Sequence, residues 1–216
     1  MSIWISRASR LRALTWFALA VLAGCVPGEI APGQARAPGA NAMAVAGGEV
    51  TVAGPPGYCV DRAASRETTG GAFVLFGSCA SLTGSAGAGP AGGPAILTAS
   101  VLPGETDATA LTTQFTATAR FFRSPPGRAA LSRSGRADDV VVADILSVGD
   151  VLYIRLKDTA LAAGKPVEPD YWRAVLVVRG HMVSLSVLGP RGKPLTDGAK
   201  RRVLDAFVAR MRATNT

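Results

Sequence analysis

The alternation of apolar and polar positions is clearest near the end of the chain. Tyr171 to Arg179 and Met182 to Leu188 flank Gly180-His181, and Val183, Leu185 and Val187 alternate with Ser184 and Ser186. A period of two across a Gly-containing turn predicts a β-hairpin with one apolar face. Asp138 to Val148 and Val151 to Lys157 predict a second hairpin across Gly149-Asp150, with Leu152, Ile154 and Leu156 on one face. Upstream, Glu49 to Ala53 and Tyr58 to Asp61 are short strand candidates either side of Gly54-Pro55-Pro56-Gly57. Phe73 to Ser78 and Ile96 to Leu102 are apolar runs of strand length between Gly and Pro boundaries.

Two stretches have helical spacing instead. From Thr106 to Phe122, the residues Leu111, Phe115 and Phe122 recur at i, i+4 and i+11 on one helical face, although six threonines in that window favour strand. Near the end, Val203, Phe207 and Met211 fall at i, i+4 and i+8 and are joined by Leu204 and Val208 in one apolar stripe. Thr196 is placed to cap this helix and Asp197 to complement its dipole. Lys200, Arg201, Arg202, Arg210 and Arg212 are expected on its solvent side. Phe207→Asp is expected to disrupt folding, because the stripe must be buried and a carboxylate there would be buried with it. The elements together predict an α+β domain, an antiparallel sheet packed by a mid-chain helix and a C-terminal helix, from residue 49 to 216.

The N-terminal region has a different pattern. Arg7, Arg10 and Arg12 precede an apolar run from Ala13 to Leu22, and only twelve residues separate Arg12 from Cys25. That is too short to span a bilayer at about 1.5 Å per residue, and it has the layout of a secretory signal peptide over residues 1–24. Leu22-Ala23-Gly24-Cys25 resembles the lipobox of bacterial lipoproteins. The resemblance implies a diacylglycerol on the Cys25 thiol, cleavage before Cys25, acylation of the new amino group and a stable anchor of several chains. Val26, rather than Asp, follows the cysteine; by the same resemblance this favours the outer membrane over the inner, with the protein on the periplasmic face of a bacterial envelope. Pro27, Pro32 and Pro38, each near a glycine, give residues 25–48 the composition of a semi-flexible tether with no packed element. A second low-complexity stretch, residues 83–94, is expected to be a mobile Gly-rich surface loop.

Once Cys25 is lipidated, Cys59 and Cys79 remain as an even pair in an oxidising compartment, which predicts a structural disulfide. They lack the C-x-x-C spacing of a redox pair, and two cysteines alone make a poor zinc site. The 216 residues and 48% apolar content fit one folded domain plus an appendage and exclude a wholly disordered chain. The net charge of +8 is partly an effect of targeting, since loss of residues 1–24 removes three arginines and no acid and leaves +5. It is therefore no argument for nucleic acid.

Candidate chemistry is sparse. His181 is the single histidine, so any Ser-His-Asp arrangement would have to use it, yet it is expected in a solvated turn. Asp138 and Asp139, if in a strand, point to opposite faces, and Asp144 and Asp150 are the acids that could join one of them. No nucleophile-elbow or phosphate-cradling glycine motif occurs. No catalytic residue, metal or cofactor is assigned. Two segments are candidate partner surfaces: Arg128, Arg133 and Arg136 in a turn-rich segment, and the adjacent aromatics Tyr171 and Trp172, for which burial in the core is the competing expectation. The order of elements is similar to the PsbP-like α/β/α sandwich over roughly Gly48 to Arg212, a resemblance that implies a binding or assembly subunit. The sequence is thus expected to encode a lipid-anchored envelope protein and non-enzymatic binding or assembly module. Its expected partners are the membrane through Cys25, and an envelope protein, peptidoglycan or anionic lipid head groups. A carboxylate-based envelope hydrolase and a small-ligand-binding lipoprotein are the alternatives.

Overall fold

The computed structural model describes residues 40–216 apart from 86–88, 162–163 and 165. The expected signal peptide at 1–24, Cys25 and the tether up to residue 39 lie outside the described residues. The chain runs β1 (Ala42–Val45), β2 (Val50–Ala53), β3 (Tyr58–Thr68), β4 (Gly71–Ser78), α1 (Cys79–Thr83) and β5 (Ile96–Val101). Then follow α2 (Ala108–Thr113), α3 (Phe115–Arg123), α4 (Pro125–Leu131), β6 (Val140–Val148), β7 (Val151–Asp158), β8 (Val167–Val178), β9 (His181–Pro190) and α5 (Asp197–Thr214). No helix among the described residues is long and apolar enough to cross a membrane.

The architecture is mixed α and β, built on a seven-stranded sheet of order β3-β4-β5-β9-β8-β7-β6. Every pairing in it is antiparallel. It consists of two meanders, β3 to β5 and β6 to β9, zipped together along β5 and β9. Both predicted C-terminal hairpins are present, the second turning at Arg179-Gly180 rather than Gly180-His181, and their turns supply the positive φ that tight hairpins need: 58° at Gly149, 48° at Arg179 and 78° at Gly180.

Period-two patterning sorts residues between the two faces. On one face Phe76, Leu97, Val187 and Trp172 lie in one row across β4, β5, β9 and β8. This row and its neighbours are covered by Val203, Leu204, Phe207, Val208 and Met211 of α5, all buried. The Phe207 ring meets Phe76 edge-on with centroids 5.4 Å apart. Thr196 Oγ1 accepts a hydrogen bond from Ala199 N–H, the N-cap expected from sequence. Lys200 departs from expectation: it is buried, not solvent-facing. Its Nζ lies 3.0 Å from the Glu168 carboxylate and donates to the Asp170 carbonyl at 2.9 Å.

On the other face α3 and α4 cover β6, β7 and β8, with Phe115, Phe122 and Leu131 against Val140, Leu152, Ile154 and Leu156. The single mid-chain helix expected from Leu111, Phe115 and Phe122 is divided. The chain leaves helical geometry at Gln114 (φ −103°, ψ 11°), and two threonine hydroxyls of α2, Thr112 and Thr113, donate to the Thr109 carbonyl. The segment after Ser124, expected to be turn-rich, begins with a helix: Ser124 caps it and Pro125 occupies the first helical position, where its missing N–H costs nothing.

Residues 42–48 are a further correction. Composition places them in the tether, yet β1 pairs with β2, and the Ala40 carbonyl accepts a hydrogen bond from Val60 N–H at 2.9 Å. Val45 is buried in the α5-side core. A four-residue strand is too short to reveal a period, so the pairing is decided by its tertiary partner. The Gly-rich stretch differs as well. Its first residue ends α1, Pro90 is buried, and the Gly93 carbonyl accepts a hydrogen bond from the Tyr58 hydroxyl at 2.8 Å. Those residues are packed rather than loose; residues 86–88 lie outside the described residues. Cys59 and Cys79 form a disulfide with Cα atoms 4.8 Å apart, tying β3 to the start of α1.

Candidate functional site

The α3–α4 layer covers only part of its face of the sheet. Beside it, two rows of side chains form the floor of an open groove. Leu75, Thr98, Ser186 and Arg173 make one row across β4, β5, β9 and β8; Phe73, Ser100, Ser184 and Val175 make the next. The serines that alternate with Val183, Leu185 and Val187 therefore form part of this floor, while those apolar residues support α5. Four hydroxyls thus occupy the central strands, where a fully covered sheet would be aliphatic.

The groove has two adjoining compartments that share Thr98 and Arg133. One, of about 520 Å³, is mainly aliphatic, with Leu75, Ile96, Leu161, Val167 and Leu188 in its lining. The other, of about 410 Å³, holds the hydroxyl floor and Arg173, with Phe122 and Leu131 as one wall and Arg66 and Phe73 opposite. These volumes fall in the range of about 300–1,000 Å³ seen for small-molecule sites.

The site is cationic. Arg173 is half-buried, and its guanidinium donates to the neutral oxygens Ser186 Oγ (3.2 Å) and Tyr171 Oη (3.1 Å). Arg66 stacks on Phe73, 4.9 Å from the ring centroid. Among the described residues, no carboxylate pairs with Arg66, Arg133 or Arg173. Asp158, fully buried, is the acid that shares this neighbourhood; it accepts backbone hydrogen bonds from Arg133 N–H (2.9 Å) and Ala160 N–H (3.0 Å). Burial pushes the Tyr171 hydroxyl above its usual range and Asp158 adds to the rise, while Arg173 and Arg133 oppose it. Tyr171 thus stays a neutral hydrogen-bond partner.

The residues singled out from sequence are dispersed by the fold. Of the arginine cluster, Arg133 alone enters this groove. Arg128 ties α4 to the segments either side of it, with Nε donating to the Ala137 carbonyl (3.3 Å) and Nη1 to the Arg123 carbonyl (2.8 Å). Arg136 sits 3.7 Å from Asp139. The aromatic pair is core and not surface: Tyr171 and Trp172 are 1% and 8% exposed and, as neighbours in a strand, face opposite sides of the sheet. Arg201 of α5 lies over Tyr153 and Trp172, 3.7 and 5.4 Å from their rings, so the expected basic helix face is partly spent on aromatic packing.

His181 is likewise corrected. It is buried, because the turn between β1 and β2 folds over the start of β9, and its Nε2 lies 2.8 Å from a Glu49 carboxylate oxygen. The acids do not gather around it. Asp138 and Asp139 lie in a 3-10 turn before β6, not in a strand, whereas Asp150 lies at the far end of that nine-residue strand. At about 3.3 Å per residue the two ends are roughly 25 Å apart. No group of three or more His, Cys, Asp or Glu side chains disposed to hold a metal occurs among the described residues.

Arg173, Thr98, Ser100, Ser184 and Ser186 are not among the site candidates that the sequence offers. The available signal was polarity on the second face of strands whose first face is fully apolar. No protein-family model matches the chain, and no curated protein matches it.

Proposed function

We propose that this protein is a lipid-anchored binding module of the bacterial cell envelope, facing the periplasm, that holds its ligand in the groove beside α3 and α4. The observation that carries the binding role is the cationic, hydroxyl-floored groove between sheet and helical layer, whose arginines have no carboxylate partners among the described residues. The cellular address rests on Leu22-Ala23-Gly24-Cys25 behind its basic and apolar leader, and the Cys59–Cys79 disulfide agrees with an oxidising compartment. Helices on both faces of an antiparallel sheet support the likeness to the PsbP-like sandwich, and with it a binding rather than a catalytic role. Val26 after the lipidated cysteine favours the outer membrane.

Intact-mass analysis of membrane-extracted protein tests the address. The expected product begins at Cys25, carries diacylglyceryl and acyl additions, and is lighter by two hydrogens for the disulfide. An uncut, unacylated chain recovered from the cytosol would overturn that part. A photo-crosslinking side chain at Ser100, in the groove, and another at Val148, exposed in β6, tests the binding role in intact cells. An adduct specific to Ser100 is expected; equal or absent labelling at both positions would sink the groove as the binding surface.

A further inference from the structure

The groove has a division of chemistry along its length. At one end Arg173 is held in the sheet by a serine and a tyrosine, with Arg133 at the shared boundary of the two compartments. A half-buried guanidinium bonded to neutral oxygens has lost part of its hydration without gaining a counter-charge, and the Asp158 carboxylate is engaged by two backbone N–H groups. The fork geometry of arginine suits two oxygens of one anionic group. The hydroxyls of Ser100, Ser184 and Thr98 offer further donors beside it. At the other end the lining turns aliphatic, with Ile96, Leu161, Val167 and Leu188, and offers an apolar chain a place out of water.

We infer that the groove binds a single-chain amphiphile with an anionic oxygen head group, a carboxylate or phosphate, its head on Arg173 and Arg133 and its tail in the aliphatic compartment. This rests on the groove being the binding surface. A bare anion would leave the aliphatic compartment unused, and a neutral chain would leave Arg173 without a counter-charge. Arg133 is exposed and acts as the outer charge; Arg173 fixes the head.

The test uses the full chain in lipid nanodiscs, with empty nanodiscs as the blank, and follows arginine Nε–H NMR signals during titration. The probes are octanoate, octyl phosphate, octanol and inorganic phosphate. Saturable binding of octanoate or octyl phosphate is expected, with octanol and inorganic phosphate each at least tenfold weaker. R173M is expected to weaken binding at least tenfold. R133M, a change at an exposed position that leaves the fold intact, is expected to weaken it about threefold, and R210M on the opposite side of the molecule not at all. Failure of both charged amphiphiles to saturate, octanol binding equally well, inorganic phosphate binding equally well, or R133M binding like the unaltered chain would each overturn the inference. A Ser100-specific adduct in cells combined with no amphiphile binding would overturn this inference alone. No Ser100-specific adduct together with no amphiphile binding would remove the groove reading with it.

Discussion

Lys200 shows how a single residue can contradict the pattern around it. Its position among the basic residues of α5 places it with solvent by composition, yet it is 2% exposed and tied to Glu168 and the Asp170 carbonyl. Removing one member of such a pair leaves a largely desolvated charge behind. K200A is expected to lower stability by about 3 kcal/mol in urea denaturation. K200M, which refills the stem, is expected to cost less, and adding E168Q to K200M to recover much of the loss. Tyr58 supplies a pH dependence. Burial pushes its hydroxyl from 10.0 up to about 12, so the native protein keeps a proton that the unfolded chain releases. The stability tied to that proton is complete below pH 10 and is lost as pH rises towards 12. Denaturation midpoints measured at pH 9, 10 and 11 should fall, and Y58F should fall less steeply; burial raises Tyr153 and Tyr171 also, so the slope is not expected to vanish.

At the scale of elements, local chemistry and tertiary contact divide the work. The hairpins β6–β7 and β8–β9 follow from alternation and turn residues, and α5 from its stripe and its Thr196 cap. The α3–α4 junction does not. There the chain reverses so tightly that a methyl group on Gly127 would overlap the Phe121 carbonyl and crowd Phe122. Gly127 is therefore required by a close approach and not by a turn dihedral. G127A is expected to destabilise the domain by about 1–3 kcal/mol, read from thermal unfolding, with the Phe122 and Leu131 wall of the groove displaced. In sequence, Ser124-Pro125-Pro126-Gly127 resembles a loop because Pro and Gly dominate it; the same residues form a cap, a helix start and a contact point.

At the scale of the whole molecule, the sheet is closed into one body by the β5–β9 pairing and by the β1–β2 ribbon lying under α5. Asn215 near the chain end bonds both the Thr51 N–H (2.8 Å) and carbonyl (2.8 Å), so the ribbon and the last turn of α5 hold each other. A chain starting at Glu49 loses β1, the buried Val45 and the Ala40–Val60 hydrogen bond. It is expected to be less stable than one starting at Ala40 by at least about 2 kcal/mol in chemical denaturation. Equal stability of the two would show that β1 adds nothing to the fold.

Alternation, turn residues and helical spacing are enough for the α+β composition, the two C-terminal hairpins and the stripe of α5. Each of these is fixed by neighbours close in the chain, whereas three cysteines allow three pairings and the Cys59–Cys79 one follows from sequence only if Cys25 is otherwise engaged. The proposed address rests on Leu22-Ala23-Gly24-Cys25 alone, whatever the fold. Distant partners settle the rest: that Tyr171 and Trp172 are core, that His181 and Lys200 are buried, that β1 exists, and that Arg133 faces the groove while Arg128 and Arg136 do not. The groove itself belongs to this second group. Thr98, Ser100, Ser184 and Ser186 are unremarkable alternating residues until the β5–β9 register sets them side by side and α4 stops short of covering them.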